Sequence, residues 1–321
     1  MKKEYSKNIE LLKCIACILV IINHTSSYLL INENYLYFYK IEFVLCRIAV
    51  PIFIMCTGYL MSTKELKGRD ILRKISKVFI PLFLLSVFIY FLQHKTIDLI
   101  FLQNFIKTPI IEAYWYIYML VGLYLIMPFL NYITKNTTLK EHIFLISIIL
   151  IIPALLNLFS FELSAYWGLA IPTYVIGYYL TGSMFHKIHK QIKFTKLSGI
   201  LLLILYIIGI IFYTNDNLEL YNIDSLLLIS MSILFINFIL GFKILKQHKF
   251  LTLISTNSLY IYLFHPILQN KIYGLSIFQN IFSFNYIIGI LLYQFTLLLI
   301  CLIFSWICNY TTKKITSFIS K

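Results

Sequence analysis

Leu201-Leu-Leu-Ile-Leu-Tyr-Ile-Ile-Gly-Ile-Ile-Phe212 carries no charge, and its apolar side chains follow one another without alternation. A membrane β-strand alternates apolar and polar positions with a period of two, so an unbroken run of this kind reads as helix. With its flanks, residues 197–214, it approaches the ~20 apolar residues needed to cross a ~30 Å hydrocarbon core. Comparable runs lie at about 9–30, 41–63, 75–93, 113–133, 142–160, 164–183, 224–242, 253–272 and 284–309. The expected fold is therefore all-α, a polytopic membrane bundle of about ten transmembrane helices. The stretch 97–106 is apolar but too short to span, and reads as an interfacial or re-entrant piece. No linker or shift in composition divides the chain, which predicts one integral membrane domain over residues 1–321.

Composition agrees with that reading. Of 321 residues 60% are hydrophobic and 12% charged, with a mean hydropathy of +0.84, whereas a soluble domain carries roughly 25% charge. The 11 Gly and 7 Pro exclude a collagenous chain, and the hydrophobic content excludes a disordered one. Six cysteines (14, 17, 46, 56, 301 and 308) all fall inside predicted spans, where they serve as small apolar packing residues. Cys14 and Cys17 form a lone CxxC, a weak signal for metal or redox chemistry. The basic start, Lys2 to Lys7, precedes an apolar run with no small-residue cleavage site, so that run is expected to remain as the first span.

The net charge of +14 first suggests an acidic partner. Placed on the predicted spans, however, 21 of the 27 cations fall on the side of the N-terminus, four on the other side, and two inside spans. By the positive-inside rule both termini then lie in the cytoplasm, and nucleic acid is not needed to explain the charge.

The exceptions to that rule carry the chemistry, because an ionisable group inside a bilayer costs at least about 2.5 kcal/mol. In the first span Lys13 and His24 are eleven residues apart, which puts them on one helix face with a rise of about 16 Å. Glu10 is close enough to Lys13 to pair with it. Arg47 in the second span and His265 in the ninth fall at a depth near that of His24. Two histidines and an arginine from three spans at one level form a candidate catalytic set. The loop between residues 64 and 77 has six basic residues among fourteen. Apart from topology, these suit a phosphate clamp, since Lys and Arg bind phosphate by charge and hydrogen bonding. No Walker loop or Rossmann glycine pattern is present, which leaves nucleotide hydrolysis and dinucleotide redox chemistry unsupported. Tyr114, Trp115 and Tyr116 read as an interfacial aromatic belt or as a stacking surface for a carbohydrate.

Taken together, these residues resemble the acyltransferase 3 family, the membrane acyltransferases of bacterial surface polysaccharides. Lys13, ten residues and His24 match the spacing of the family's Arg-to-His motif, with lysine in place of arginine. The segment from Arg47 to Gly58-Tyr59 is similar to the family's second span. Lys74 and Lys77 before Pro81, with Arg73 adjacent, resemble its Arg-x-x-Arg pattern. Trp115 to Leu130 resembles its fourth span, and Ile254 to His265-Pro266 its late histidine segment.

The resemblance implies a multi-pass protein of the bacterial cytoplasmic membrane. It also implies acyl-CoA as a co-substrate, with no permanently bound cofactor and no metal, and an acceptor hydroxyl on a glycan or lipid-linked sugar. The catalytic residues are then His24 as the general base, Arg47 as an oxyanion stabiliser, His265 as a second proton carrier and Lys13 as an anchor on the donor's path. Arg73, Lys74, Lys77 and Glu10 hold the donor, while Tyr114, Trp115 and Tyr116 bind the acceptor. The rival expectation is a transporter or export component, either amino-acid uptake like that proposed for the similar membrane regions of serine racemases or exopolysaccharide export.

Overall fold

The computed structural model describes residues 2–31, 33–158, 173–189, 191–192, 196–242 and 248–319. Among them the chain is helical with no strand. In chain order the helices are α1 (Lys2–Thr25), α2 (Leu36–Cys46), α3 (Ala49–Met61), α4 (Gly68–His94), α5 (Leu99–Lys107), α6 (Trp115–Asn136) and α7 (Leu139–Ile146). There follow α8 (Ile152–Leu158), α9 (Thr173–Ile188), α10 (Lys196–Ile211), α11 (Leu226–Leu240), α12 (Lys249–Tyr273), α13 (Ser276–Phe284) and α14 (Tyr286–Ile319).

Among the described residues seven helical segments are long and apolar enough to cross a membrane: Lys7–Ile31, Glu33–Met61, Gly68–His94, Glu112–Asn136, Leu139–Leu156, Leu218–Leu240 and Tyr286–Asn309. The outward faces agree with a lipid surround. On α4 they present Ile80, Leu84 and Phe88, on α10 Leu203, Ile207 and Ile211, and on α14 Ile288, Leu291 and Phe295, all exposed. In water such stripes would be a liability, whereas in hydrocarbon they are the ordinary surface.

The other three expected spans differ in kind. Residues 197–214 fold as α10, apolar but of 16 residues. Residues 253–272 fold within α12, which has 25 residues but is less apolar because it carries Ser255, Asn257, His265 and Gln269. For 164–183, residues 164–172 lie outside the described residues, and the rest belongs to α9. The short stretch 97–106 folds mostly as the nine-residue α5, which buries Phe101 and Phe105.

One expected span is broken. Residues 41–63 divide into α2 and α3 at a turn over Arg47 and Ile48. Pro51 supplies the cause, since it has no N–H to give the carbonyl of Arg47 and sits in the first turn of α3, where proline is tolerated.

The chain divides into two compact units, Met1–Leu60 with Thr138–Lys321, and Met61–Thr137. In the larger unit α12 packs against α1 and α14, α10 against α11, and α7 against α9. The buried Asn8 side chain donates to the carbonyls of Ile239, Leu240 and Phe242 at 2.8, 3.2 and 3.0 Å, satisfying the otherwise unpaired end of α11. Where α3 meets α9 the two backbones touch. A Cβ on Gly58 would overlap the carbonyl of Tyr179, and one on Gly182 would overlap that of Met55. This is the small-residue crossing that lets membrane helices associate by close backbone packing. Gly182→Leu, with only backbone to push against, is expected to abolish recovery of monodisperse protein from detergent, as read by size-exclusion chromatography.

In the smaller unit α4 packs against α6. Phe79, Phe83, Phe101 and Phe105 interleave at ring-centroid distances of 5.3–6.2 Å, joining α5 to α4. Buried Asn131 of α6 donates to the carbonyls of Met61 and Lys64 at 2.9 and 2.8 Å, and so fixes the loop that leads into α4. Lys135 pairs with Glu65 at 2.8 Å on the exposed rim, and the ammonium holds the Glu65 carboxyl below its usual range. Asn131→Ala removes two buried bonds and is expected to cost about 1–3 kcal/mol, to be read as loosened amide-exchange protection of residues 62–67.

Candidate active site

α1 and α12 run parallel and in register. Thr252 Oγ1 donates to Glu10 Oε2 at 3.1 Å, Lys13 Nζ to the carbonyl of Ser255 at 3.2 Å, and Tyr28 Oη to Asn270 Oδ1 at 2.5 Å, every pair 242 residues apart. A constant offset means that steps along one helix match steps along the other. The depth argument made from sequence for His24 and His265 therefore translates into contact, with ring centroids 4.9 Å apart and planes tilted by 45°.

The two rings differ in surroundings. His24 is half-buried. His265 is fully buried, and neither of its ring nitrogens has a hydrogen-bond partner of ordinary geometry. One turn further along α12 the buried Oε1 of Gln269 is also unpaired. Pro266 takes part in this arrangement because its missing N–H releases the carbonyl of Tyr262 from the helix ladder. Buried polar atoms without partners are costly and mark places where a ligand or reacting group completes the bonding. A neutral imidazole accepts a proton through one nitrogen and donates through the other, so the pair is equipped to take a proton from a hydroxyl and return it to a leaving group.

The stripe on α1 continues from His24 back through Ile21, Val20 and Cys17 to Lys13. The bond from Lys13 to the carbonyl of Ser255 fastens it to α12, and Glu10 is held by Thr252 on the same helix.

Arg47 is placed differently. In the turn between α2 and α3 its Nε donates to the carbonyl of Tyr221 at 2.9 Å, and its guanidinium lies 4.9 Å from the centroid of Phe43. Those contacts fasten it to the segment Asn215–Tyr221 and not to the histidine pair. The depth of Arg47 was read from a continuous helix, whereas the residue stands in the turn between α2 and α3.

In the smaller unit the basic loop borders a cleft of about 760 Å³ lined by Lys64, Arg73, Lys74, Lys77 and Tyr124, with Glu65 and Asp70 at its edge. Its size is that of a small-molecule site. Lys74 is half-buried, with Nζ 3.3 Å from Met61 Sδ and 6.0 Å from the Tyr124 ring centroid. Glu65 is engaged by Lys135, and Asp70 accepts from the Lys67 backbone N–H at 3.1 Å. Among the described residues no salt bridge joins either acid to a cation of the cleft.

The aromatic triplet separates. Tyr114 is fully buried and fills the interior, whereas Trp115 is 38% exposed and Tyr116 half-buried, their rings edge to face at 6.3 Å. That leaves Trp115 and Tyr116 as the stacking candidates.

Two buried polar pairs were not singled out from sequence. Gln294 Nε2 of α14 donates to both carboxylate oxygens of Glu42 at 3.1 and 3.0 Å, and His142 Nε2 lies 2.9 Å from Ser183 Oγ. For Glu42 the signal was an acid inside an apolar run. Among the described residues no cluster of His, Cys, Asp and Glu is arranged to hold a metal.

Comparison with known proteins adds one match: the family model Acyl_transf_3, an acyltransferase domain, matches residues 6–310. No curated protein and no solved structure matches the chain.

Proposed function

We propose, since the chain belongs to the acyltransferase 3 family and is a multi-pass helical membrane protein, that it moves an acetyl group from cytoplasmic acetyl-CoA to a hydroxyl of an envelope glycan or lipid-linked sugar. The observation that carries this reading is the histidine pair, His24 against His265 at 4.9 Å, with the ring of His265 fully buried. A pair so equipped suits acyl transfer from a thioester, in which a base must take the hydroxyl proton and the leaving thiolate must receive one.

In the proposed reaction the acceptor oxygen attacks the thioester carbonyl while His24 removes its proton. The C–S bond then breaks, the new O-acyl ester is released, and CoA leaves as the thiol with the proton that histidine had taken. His265 shares that proton or orients His24. The cleft of Lys64, Arg73, Lys74 and Lys77 is proposed to hold the phosphates of the donor, and its exposure in the basic loop fits a cytoplasmic ligand. The 21-to-4 charge distribution supports an orientation with the termini inside the cell, in the bacterial cytoplasmic membrane. Lys13, fastened to α12, supports the helix pair that carries both histidines. Trp115 and Tyr116 are proposed to meet the acceptor.

The test is ligand-dependent stability of the purified protein. At 100 Kd of acetyl-CoA the stabilisation is about 2.7 kcal/mol, a shift of several degrees in thermal unfolding. Stabilisation by amino acids or by polymer alone, with none by CoA or its thioesters, contradicts the reading.

A further inference from the structure

Arg47, placed away from the histidine pair, closes α2 with helical backbone angles, φ −60° and ψ −26°. Lys40, Phe43 and Arg47, spaced by three, four and seven residues, therefore share one face of that helix, with a rise of about 10 Å from the lysine to the arginine. Both cations are half-buried, and both rest on one aromatic pair. The guanidinium of Arg47 lies 4.9 Å from the Phe43 centroid, the ammonium of Lys40 lies 5.5 Å from that of Tyr213, and the two rings meet edge to face at 5.1 Å. Aromatic faces hold cations in place but do not neutralise them. Of the five guanidinium donors only Nε is spent, on the carbonyl of Tyr221. Among the described residues no acid pairs with either cation, the one salt bridge being that of Lys135 with Glu65. Glu42 lies off this face, and Gln294 donates to both of its oxygens.

Both residues belong to the apolar segment Glu33–Met61. An arginine there without a counter-charge is costly, and calls for an anion from outside the chain. Topology does not account for the pair, since it belongs to the membrane half away from the N-terminus, where cations are few. We propose that Arg47 and Lys40 form a site for a lipid-borne phosphate, and that its occupant is the phosphate joining the acceptor sugar to its lipid anchor. The planar guanidinium fork matches phosphate oxygens, and the lysine adds a second charge nearer the surface. α2 packs on α1, and packed helices stand about 8–10 Å apart. One or two sugar rings cover such a span, from a phosphate held on α2 to a hydroxyl at His24 on α1. The assignment rests on the acyltransferase reading and narrows its acceptor to a lipid-linked sugar.

The experiment uses the full-length protein in phosphatidylcholine nanodiscs, with excess CoA present to compete at the basic cleft. Binding of farnesyl diphosphate and of farnesol is read from the rise in unfolding temperature with concentration. Wild type is expected to bind the diphosphate about tenfold or more tighter than the alcohol. Arg47→Gln and Lys40→Gln are each expected to weaken diphosphate binding by about tenfold or more, the weight of one charge-assisted hydrogen bond, and to leave farnesol binding unchanged. The Lys40 side chain makes ring contacts alone, so Lys40→Gln decides the matter if Arg47→Gln does not fold. Equal binding of diphosphate and alcohol by wild type overturns the site, as does either folded variant that keeps the wild-type preference. In discs of equal parts phosphatidylcholine and phosphatidylglycerol, an Arg47-dependent rise in unfolding temperature that also abolishes the diphosphate response assigns the site to bilayer phospholipid and overturns the acceptor assignment. Diphosphate binding as expected, in a protein that transfers no acyl group from acetyl-CoA to glycan, refutes the acyltransferase reading and leaves the phosphate site standing.

Discussion

His24→Ala is expected to lower acyl transfer by ~10²–10⁴-fold, the range that a positioned general base contributes, while the protein unfolds at nearly the wild-type temperature. His24 is half-buried and meets its neighbour ring to ring, so removing it takes away the proton acceptor without opening the core. His265→Ala is expected to be similarly inactive but less stable, because its ring is fully buried between α1, α3 and α12 and truncation leaves a cavity. If the two rings act as one unit, the double variant loses no more activity than the worse single one. Additive losses would show that they work independently. A His24→Ala protein transferring at full rate would leave the pair as packing residues.

The second large effect is expected at the basic cleft. Each charge-assisted hydrogen bond to phosphate is worth about 1.5–3 kcal/mol, so the joint variant Arg73→Ala and Lys77→Ala is expected to raise KM for acetyl-CoA by at least ~10²-fold with kcat little changed. Both side chains are exposed, and their removal leaves the aromatic interior of the smaller unit intact. The same affinity should weaken with ionic strength, since exposed charges are screened within about 8–10 Å at 0.1–0.15 M salt. An unchanged KM in the variant would reduce the cleft to a topological signal. Lys74→Ala is less clean as a test because Lys74 also packs beside Met61 and Tyr124.

What the sequence made legible follows from physical periodicities. Apolar run length revealed helices and their membrane character. Depth along those runs brought His24 and His265 to one level, and the parallel registry of α1 and α12 is what turned shared depth into contact. Charge density in one loop pointed to the cleft, whose cations needed only a helical turn and a facing tyrosine to assemble.

Other features depend on tertiary context that run length does not encode. Arg47 was read on an unbroken helix, whereas it stands in the turn between α2 and α3 and bonds the carbonyl of Tyr221. α12 carries Ser255, Asn257 and His265 buried in the bundle, so hydropathy alone understates it. The burial of Tyr114 beside the more exposed Trp115 could not be told from three adjacent aromatics. Glu42 was overlooked because its partner, Gln294, is 252 residues away.

The central claim is that the chain transfers an acyl group from a cytoplasmic thioester to an envelope hydroxyl. The most direct measurement supplies acetyl-CoA labelled in the acetyl group to inverted membrane vesicles containing the protein, and follows the label. The account predicts label in alkali-labile esters on glycan, released CoA thiol in equal amount, and neither in vesicles with the His24→Ala protein. Binding of CoA without consumption of the thioester, or label transfer equal in wild type and His24→Ala, would contradict it.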